Sequence, residues 1–219
     1  MTIAQAGLFR CAGYVALLLT LLGCGGDNFR DVRNLASTYE AIVCFGDSLT
    51  EGVGANGGED YPSVLARELA YPIVNAGRRG DTTGDALARI SDVVGHNPRL
   101  VIVLLGGNDF LRQVPRGETK KNLAEVVRRF QAHGAMVALA GIRLGIFRDE
   151  FAPIYEAIAK EFGAYYIPQV MEGILSNPQL KSDPIHPNGA GYRLMAQRMA
   201  GKIRPLLRAA DRSTGRRGF

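Results

Sequence analysis

The sequence predicts an α/β protein, a three-layer α/β/α sandwich around a doubly wound, five-stranded parallel sheet. Three observations carry this. Short apolar runs alternate with amphipathic stretches of helical period along most of the chain. The run at residues 100–105 has no polar interruption, as a parallel strand covered on both faces requires. No internal repeat or low-complexity tract breaks the alternation, and such units wind with right-handed crossovers.

The first strand is read at residues 41–45 (AIVCF), ending at Gly46. Asp60-Tyr61-Pro62 opens a helix with Val64, Leu65 and Leu69 at helical spacing. Residues 73–76 form a short second strand. Thr82 or Thr83 caps a helix with Leu87, Ile90 and Val94 on its inner face, stopped by Gly95. Beyond the third strand, at 100–105, Leu123, Val126, Val127 and Phe130 mark an amphipathic helix closed by Gly134. Residues 135–142 give the fourth strand. Ile154, Tyr155, Ile158 and Phe162 give the next helix, and residues 164–167 the fifth strand. A last helix runs from Asn188 with Tyr192, Met195 and Met199 inward.

Residues 1–23 read as an export signal outside this fold. Arg10 is their only charge, and the uncharged run at 11–23 is shorter than the ~17–25 residues of a membrane span. The run ends in Leu21-Leu22-Gly23-Cys24, which resembles a bacterial lipobox. That resemblance implies cleavage before Cys24 and lipidation of its thiol, hence a periplasmic protein anchored to a membrane. Gly25, rather than Asp, favours the outer membrane by resemblance to enterobacterial lipoproteins. Residues 24–38 then form a tether, 39–207 the globular domain and 208–219 a basic tail. The tail reads as a solvated terminus or as a contact for anionic lipid head groups.

Cys11 would leave with the signal and Cys24 would carry lipid, so Cys44 in the first strand has no disulfide partner and reads as a packing residue. The formal charge of +5 falls to +4 once Arg10 is removed. No nucleic-acid motif accompanies it.

The polar signals fall at strand ends. Gly46-Asp47-Ser48 follows strand one, the stretch Gly77 to Thr82 follows strand two, and Gly106-Gly107-Asn108-Asp109 follows strand three. Asp183-Pro184-Ile185-His186-Pro187-Asn188 precedes the last helix. The fold can gather all four on one rim. A serine hydroxyl needs a base to become a nucleophile. Of the three histidines, His96 and His133 sit at helix exits beside glycines, where a cation suits the helix dipole, and His186 lies at the rim. Asp183 can orient its ring, while Asn188 serves to cap the helix. The backbone N–H groups of Ser48 and Gly80 and the Asn108 amide can face a developing oxyanion.

These four blocks, GDSL at 46–49, RGDTT around Gly80, GGND at 106–109 and DPIHPN at 183–188, resemble the SGNH or GDSL hydrolases. The runs NAG, GDTT, ALARI and LGGNDFLR resemble most closely the thioesterase I/lysophospholipase and arylesterase branch. The resemblance implies a flavodoxin-like SGNH fold with Ser48 as nucleophile, His186 as base and Asp183 as its partner. It also implies an oxyanion hole of Ser48, Gly80 and Asn108. Pro184 stands where the branch often has Gly, and Gly145 where it often has Pro, so the walls of an acyl pocket differ. No cofactor or metal is expected, since neither a phosphate loop nor a His/Cys cluster is present. An Asp47–Asp109 glycosidase pair is the weaker reading beside a Ser–His–Asp set.

The expected activity is hydrolysis of carboxylic esters or thioesters (short or medium acyl esters, aryl esters, lysophospholipids) by a monomer. A carbohydrate O-acetylesterase, or a non-catalytic envelope lipoprotein binding lipid or glycan, are the alternatives.

Overall fold

The computed structural model describes residues 29–143 and 151–216. The signal at 1–23, Cys24 and Gly145 lie outside the described residues. The strands are β1 (Ala41–Gly46), β2 (Ile73–Gly77), β3 (Pro98–Leu104), β4 (Met136–Ala140) and β5 (Tyr165–Ile167). They form one parallel sheet in the order β2-β1-β3-β4-β5, with a register shift only where Ala41 and Ile42 meet β3. The order reverses at β1, which has β2 on one side and β3 on the other. A crevice therefore opens at the carboxyl ends of β1 and β3, where doubly wound sheets hold their ligands.

The helices described are α1 (Ser48–Glu51), α2 (Tyr61–Leu69), α3 (Thr83–Ala88), α4 (Ile90–Val94), α5 (Gly107–Leu111), α6 (Arg116–Ala132), α7 (Ala152–Phe162) and α8 (Gly189–Thr214). Alternate strand residues feed two core layers. Ile42, Cys44, Leu100, Ile102 and Leu104 pack with Tyr61, Val64, Leu65 and Leu69 of α2 and Tyr192, Met195 and Met199 of α8. Val43, Phe45, Val101 and Val103 pack on the other face against α3, α4, α6 and α7. Each such aliphatic side chain contributes about 1.5–3 kcal/mol when buried, so the unbroken apolar strands are what hold the three layers together.

The structure corrects the expected elements in three places. The helix expected to end at Gly95 is two, broken at Arg89, and its buried residues are Thr83, Ala86, Ile90 and Val93 rather than Leu87 and Val94. The cause is Arg89 itself, which is buried and turns its guanidinium inward.

The expected tether at 24–38 is docked over its described part. Val32 is buried, Phe29 and Leu35 pack on the core, and the Asn34 amide donates to the Gln131 and Ala135 carbonyls. A few apolar residues suffice to cover the amino ends of the strands.

The expected tail at 208–219 is mostly helix over its described part. α8 continues to Thr214 because Leu206, Leu207 and Ala210 keep its apolar stripe in register, and Asp211 is buried beside them. The packed unit thus extends past 39–207 at both ends, from Phe29 to Thr214. Among the described residues no helix is long and apolar enough to cross a membrane.

Candidate active site

The site begins where β1 stops. A Cβ on Gly46 would lie 2.1 Å from Thr50 Oγ1 and 2.4 Å from the Leu104 carbonyl, so only glycine lets the chain turn here. Asp47 caps α1, its Oδ1 accepting from the Leu49 N–H at 3.0 Å. Ser48 is the first residue of α1 and lines the crevice.

A tight loop brings the second partner. Asp183 Oδ1 accepts from the Ile185 and His186 N–H groups at 2.8 and 2.9 Å, an Asx turn that folds the loop on its own aspartate. Lys181 and Pro187 bridge, and Asn188 caps α8 by accepting from Ala190 and Gly191. This fixes the imidazole. His186 Nδ1 lies 2.7 Å from Asp183 Oδ2, and Nε2 lies 3.0 Å from Ser48 Oγ. A carboxylate on Nδ1 selects the tautomer protonated there and leaves Nε2 as an acceptor facing the hydroxyl. The bond from Ile185 N–H, with the His186 ring and N–H, holds the Asp183 carboxyl below its usual range.

The remaining donors come from two other loops. Gly80 adopts φ +82°, in the left-handed region, and its carbonyl accepts from Arg112 Nη2 at 2.7 Å. Asn108 Nδ2 donates to the Asp81 carbonyl at 3.0 Å and to Asp47 Oδ2 at 3.3 Å. The N–H groups of Ser48 and Gly80 donate to no protein acceptor among the described residues. All the expected positions, Ser48, Gly80, Asn108, Asp183 and His186, therefore gather on one rim.

Beneath the rim lies a set of residues that no motif marks in the sequence. Arg89 Nε bonds Asp81 Oδ2, Nη1 donates to the Ala76 carbonyl and Nη2 to the Gly46 carbonyl. Its guanidinium also lies 4.4 Å from the Phe45 ring centroid. One side chain thus ties the ends of β1 and β2 to the loop carrying Gly80 and Asp81. The available signal was Arg89 lying eight residues after Asp81, but a lone charge in a helical stretch ordinarily reads as solvent-facing.

Asp47 and Asp109 have other tasks than glycosidase chemistry. Asp109 accepts from Thr83 N–H at 2.8 Å, from Thr83 Oγ1 and from Thr119 Oγ1, joining α5 to α3 and α6. Burial pushes Asp47 up to about 6, against its bond from Leu49 N–H. Burial likewise raises the Cys44 thiol, which sits beside Tyr61 in the core.

Ser48, Asn108 and His186 open onto a cavity of about 970 Å³. Phe110, Leu111, Ile142, Met171, Leu175 and Ile185 give it apolar walls, and Pro184 forms part of the edge. Phe110, Leu111 and Ile185 are exposed at its mouth. No group of three or more His, Cys, Asp or Glu among the described residues is arranged to hold a metal ion.

Residues 44–194 match the family described as GDSL-like Lipase/Acylhydrolase. The chain is 33% identical over 181 residues to the thioesterase 1/protease 1/lysophospholipase L1 of Escherichia coli K12, covering 78% of this chain and 87% of that protein. Among solved structures it superposes on TesA with a TM-score of 0.72 at 29% identity, over 77% of this chain and all of that one. The psychrotrophic esterase EstA from Pseudoalteromonas sp., solved inhibited by monoethylphosphonate, gives a TM-score of 0.70 at 28% identity, over 77% of this chain and 99% of that one. With the matched model covering more than half of its length and all four blocks in place, the chain belongs to the GDSL-like lipase/acylhydrolase family and is an ester-hydrolysing enzyme.

Proposed function

We propose that the protein is a serine esterase acting on acyl esters and thioesters, including aryl esters and lysophospholipids, through an acyl-enzyme on Ser48. The observation that carries this is the Asp183–His186–Ser48 relay, 2.7 and 3.0 Å per step, opening on an apolar cavity. Ser48 Oγ bonds to the ester carbonyl carbon as His186 Nε2 takes its proton, and Asp183 steadies the resulting imidazolium. The carbonyl oxygen, now anionic, accepts from the N–H groups of Ser48 and Gly80 and from Asn108. The longer of the two Asn108 bonds, to Asp47, is the one it replaces. The tetrahedral carbon collapses, the C–O or C–S bond breaks, and the leaving group departs with the proton from His186. Water then repeats the sequence on the acyl-enzyme.

The apolar walls favour an acyl chain over an acetylated sugar. Location follows the lipobox: lipidation at Cys24 would anchor the enzyme in the envelope, the outer membrane being favoured, away from cytosolic thioesters. Cys24→Ser should then move the protein to the soluble fraction.

The direct test is a p-nitrophenyl ester series from acetyl to palmitoyl. Ser48→Ala should lose about 10⁵–10⁶ in kcat with the fold intact, as removal of a triad nucleophile does. Activity surviving in that variant would overturn the assignment. A preference for acetylated sugars over medium acyl esters would move the enzyme to the O-acetylesterase reading.

A further inference from the structure

Both ends of the described chain meet at the amino end of the sheet, opposite the Ser48 crevice. The amino-terminal segment crosses that end, Arg33 N–H donating to the Gly163 carbonyl at the close of α7. α8 starts beside His186 and runs antiparallel to the strands, so its last turns return to the same end. There Ser213 Oγ donates to the Leu35 carbonyl and the Arg216 guanidinium to the carbonyls of Thr38 and Tyr39.

Cations gather on this face. Arg204, Arg208 and Arg212 recur every fourth residue along α8 and so line one stripe, Arg204 donating to the Glu68 carbonyl, and Arg216 follows just past the helix. Arg208, Arg212 and Arg33 are exposed. Like charges at this spacing repel, and the helix dipole compensates only those of the last turn. The facing acids are fewer. Glu40 lies 3.9 Å from Arg216, Asp31 and Glu68 are exposed, and Asp211 is buried against Arg99. On the rim side Arg79 pairs with Glu51 and Arg112 with Asp85, and Arg143 lines the cavity.

The path of the chain gives the second observation. Cys24 precedes the packed Phe29 by five residues, which span at most about 18 Å. A lipid on Cys24 would therefore tether the chain to a bilayer from within about 18 Å of this face.

We infer that the basal face, with the arginine stripe of α8 and Arg33, is a docking surface for anionic lipid head groups, and that it turns the mouth of the active-site cavity away from the membrane. The six residues of β1 alone set about 20 Å between the two ends. Substrate then reaches Ser48 from the aqueous side rather than from the bilayer holding the enzyme. The anchoring geometry rests on the proposed lipidation of Cys24; the head-group contact does not.

The test uses the chain from residue 24, which contains the whole packed unit, with Cys24→Ser so that no lipid contributes. It is floated with vesicles of phosphatidylcholine alone or with about one third phosphatidylglycerol. Binding is expected only to the anionic vesicles, weakening in high salt. Arg208→Glu/Arg212→Glu should weaken it at least about tenfold while leaving hydrolysis of a soluble ester unchanged. Phe110→Ser/Leu111→Ser should leave flotation unchanged.

Three results would overturn the inference: no binding to anionic vesicles, binding that survives the charge reversal, or binding lost in the Phe110/Leu111 variant, which would make the mouth the docking face. An inactive wild type that still floats would count against the esterase reading alone.

Discussion

Arg89 and Asp81 pair at the carboxyl end of the sheet, and Arg99 and Asp211 at the amino end. Both pairs are nearly sealed from solvent, with side-chain exposures of 9% and 6% for the first and 1% and 3% for the second. The rim pair is fully used: Arg89 reaches one carboxylate, two strand-end carbonyls and the face of Phe45. At the amino end Arg99 Nη2 meets Asp211 Oδ1, while Arg99 Nε and Asp211 Oδ2 are buried without a partner. A buried ion pair recovers its desolvation cost only when its remaining hydrogen bonds are satisfied. At the rim they are, and the carbonyls they satisfy belong to the backbone that presents Ser48 and Gly80. At the amino end the charge joins β3 to α8 and does nothing for the site.

That contrast sets out what substitutions should do. The largest effect is expected for Arg89→Met, which strands Asp81 and frees two strand ends. It should cost about 3–5 kcal/mol in urea unfolding. At temperatures where it remains folded, kcat should still be about 10²-fold down, since displacement of the oxyanion donors by an ångström is that costly. Unchanged kcat in the folded variant would remove Arg89 from any positioning role.

Asp211→Ala should cost a similar about 3–5 kcal/mol by leaving Arg99 unpaired, with kcat/KM unchanged. Loss of activity there would erase the distinction between the two ends. Replacing both partners, Arg99→Met with Asp211→Leu, should return stability to about the wild-type value or above.

Asp47 sharpens the comparison, as a buried rim acid with no arginine of its own. Burial raises it to about 6, so the protonated fold is favoured. Its contribution is fully present below the ordinary carboxylate range and is lost as pH rises through about 6. Asp47→Asn keeps an oxygen for the Leu49 N–H and escapes that loss. Its stability relative to wild type should therefore rise as pH passes from about 4 through about 6, by about 3 kcal/mol, and stay level above. A pH-independent difference would mean that Asp47 is not the titrating group.

Much of this was legible in the chain. The apolar runs marked β1, β3 and β4 because a strand covered on both faces has no room for a polar residue, and the shorter, half-buried edge strands β2 and β5 followed from the alternation with helices. GDSL, GGND and DPIHPN stood out because turns at strand ends need Gly, Asp, Asn and Pro for reasons of backbone geometry. Arg89 escaped because period and propensity cannot tell an inward-turning arginine from a solvated one. The docked segment at residues 29–38 escaped for a related reason: Phe29, Val32 and Leu35 recur every third residue over a stretch too short to mark an element, and only the finished strand ends give them a surface to cover.

The sequence by itself determined the order of strands and helices and the four polar blocks, three of them at strand ends and the fourth at the entry to the last helix. These are local properties, set by which side chains sit next to one another along the chain. Only the tertiary structure decided that His186 Nε2 lies 3.0 Å from an oxygen 138 residues away, and that Arg89 joins the ends of two strands. It also decided that the two ends of the described chain meet on the face opposite the cavity. Such facts depend on the winding of the sheet and on which core layer each element fills, and no local window of sequence contains them.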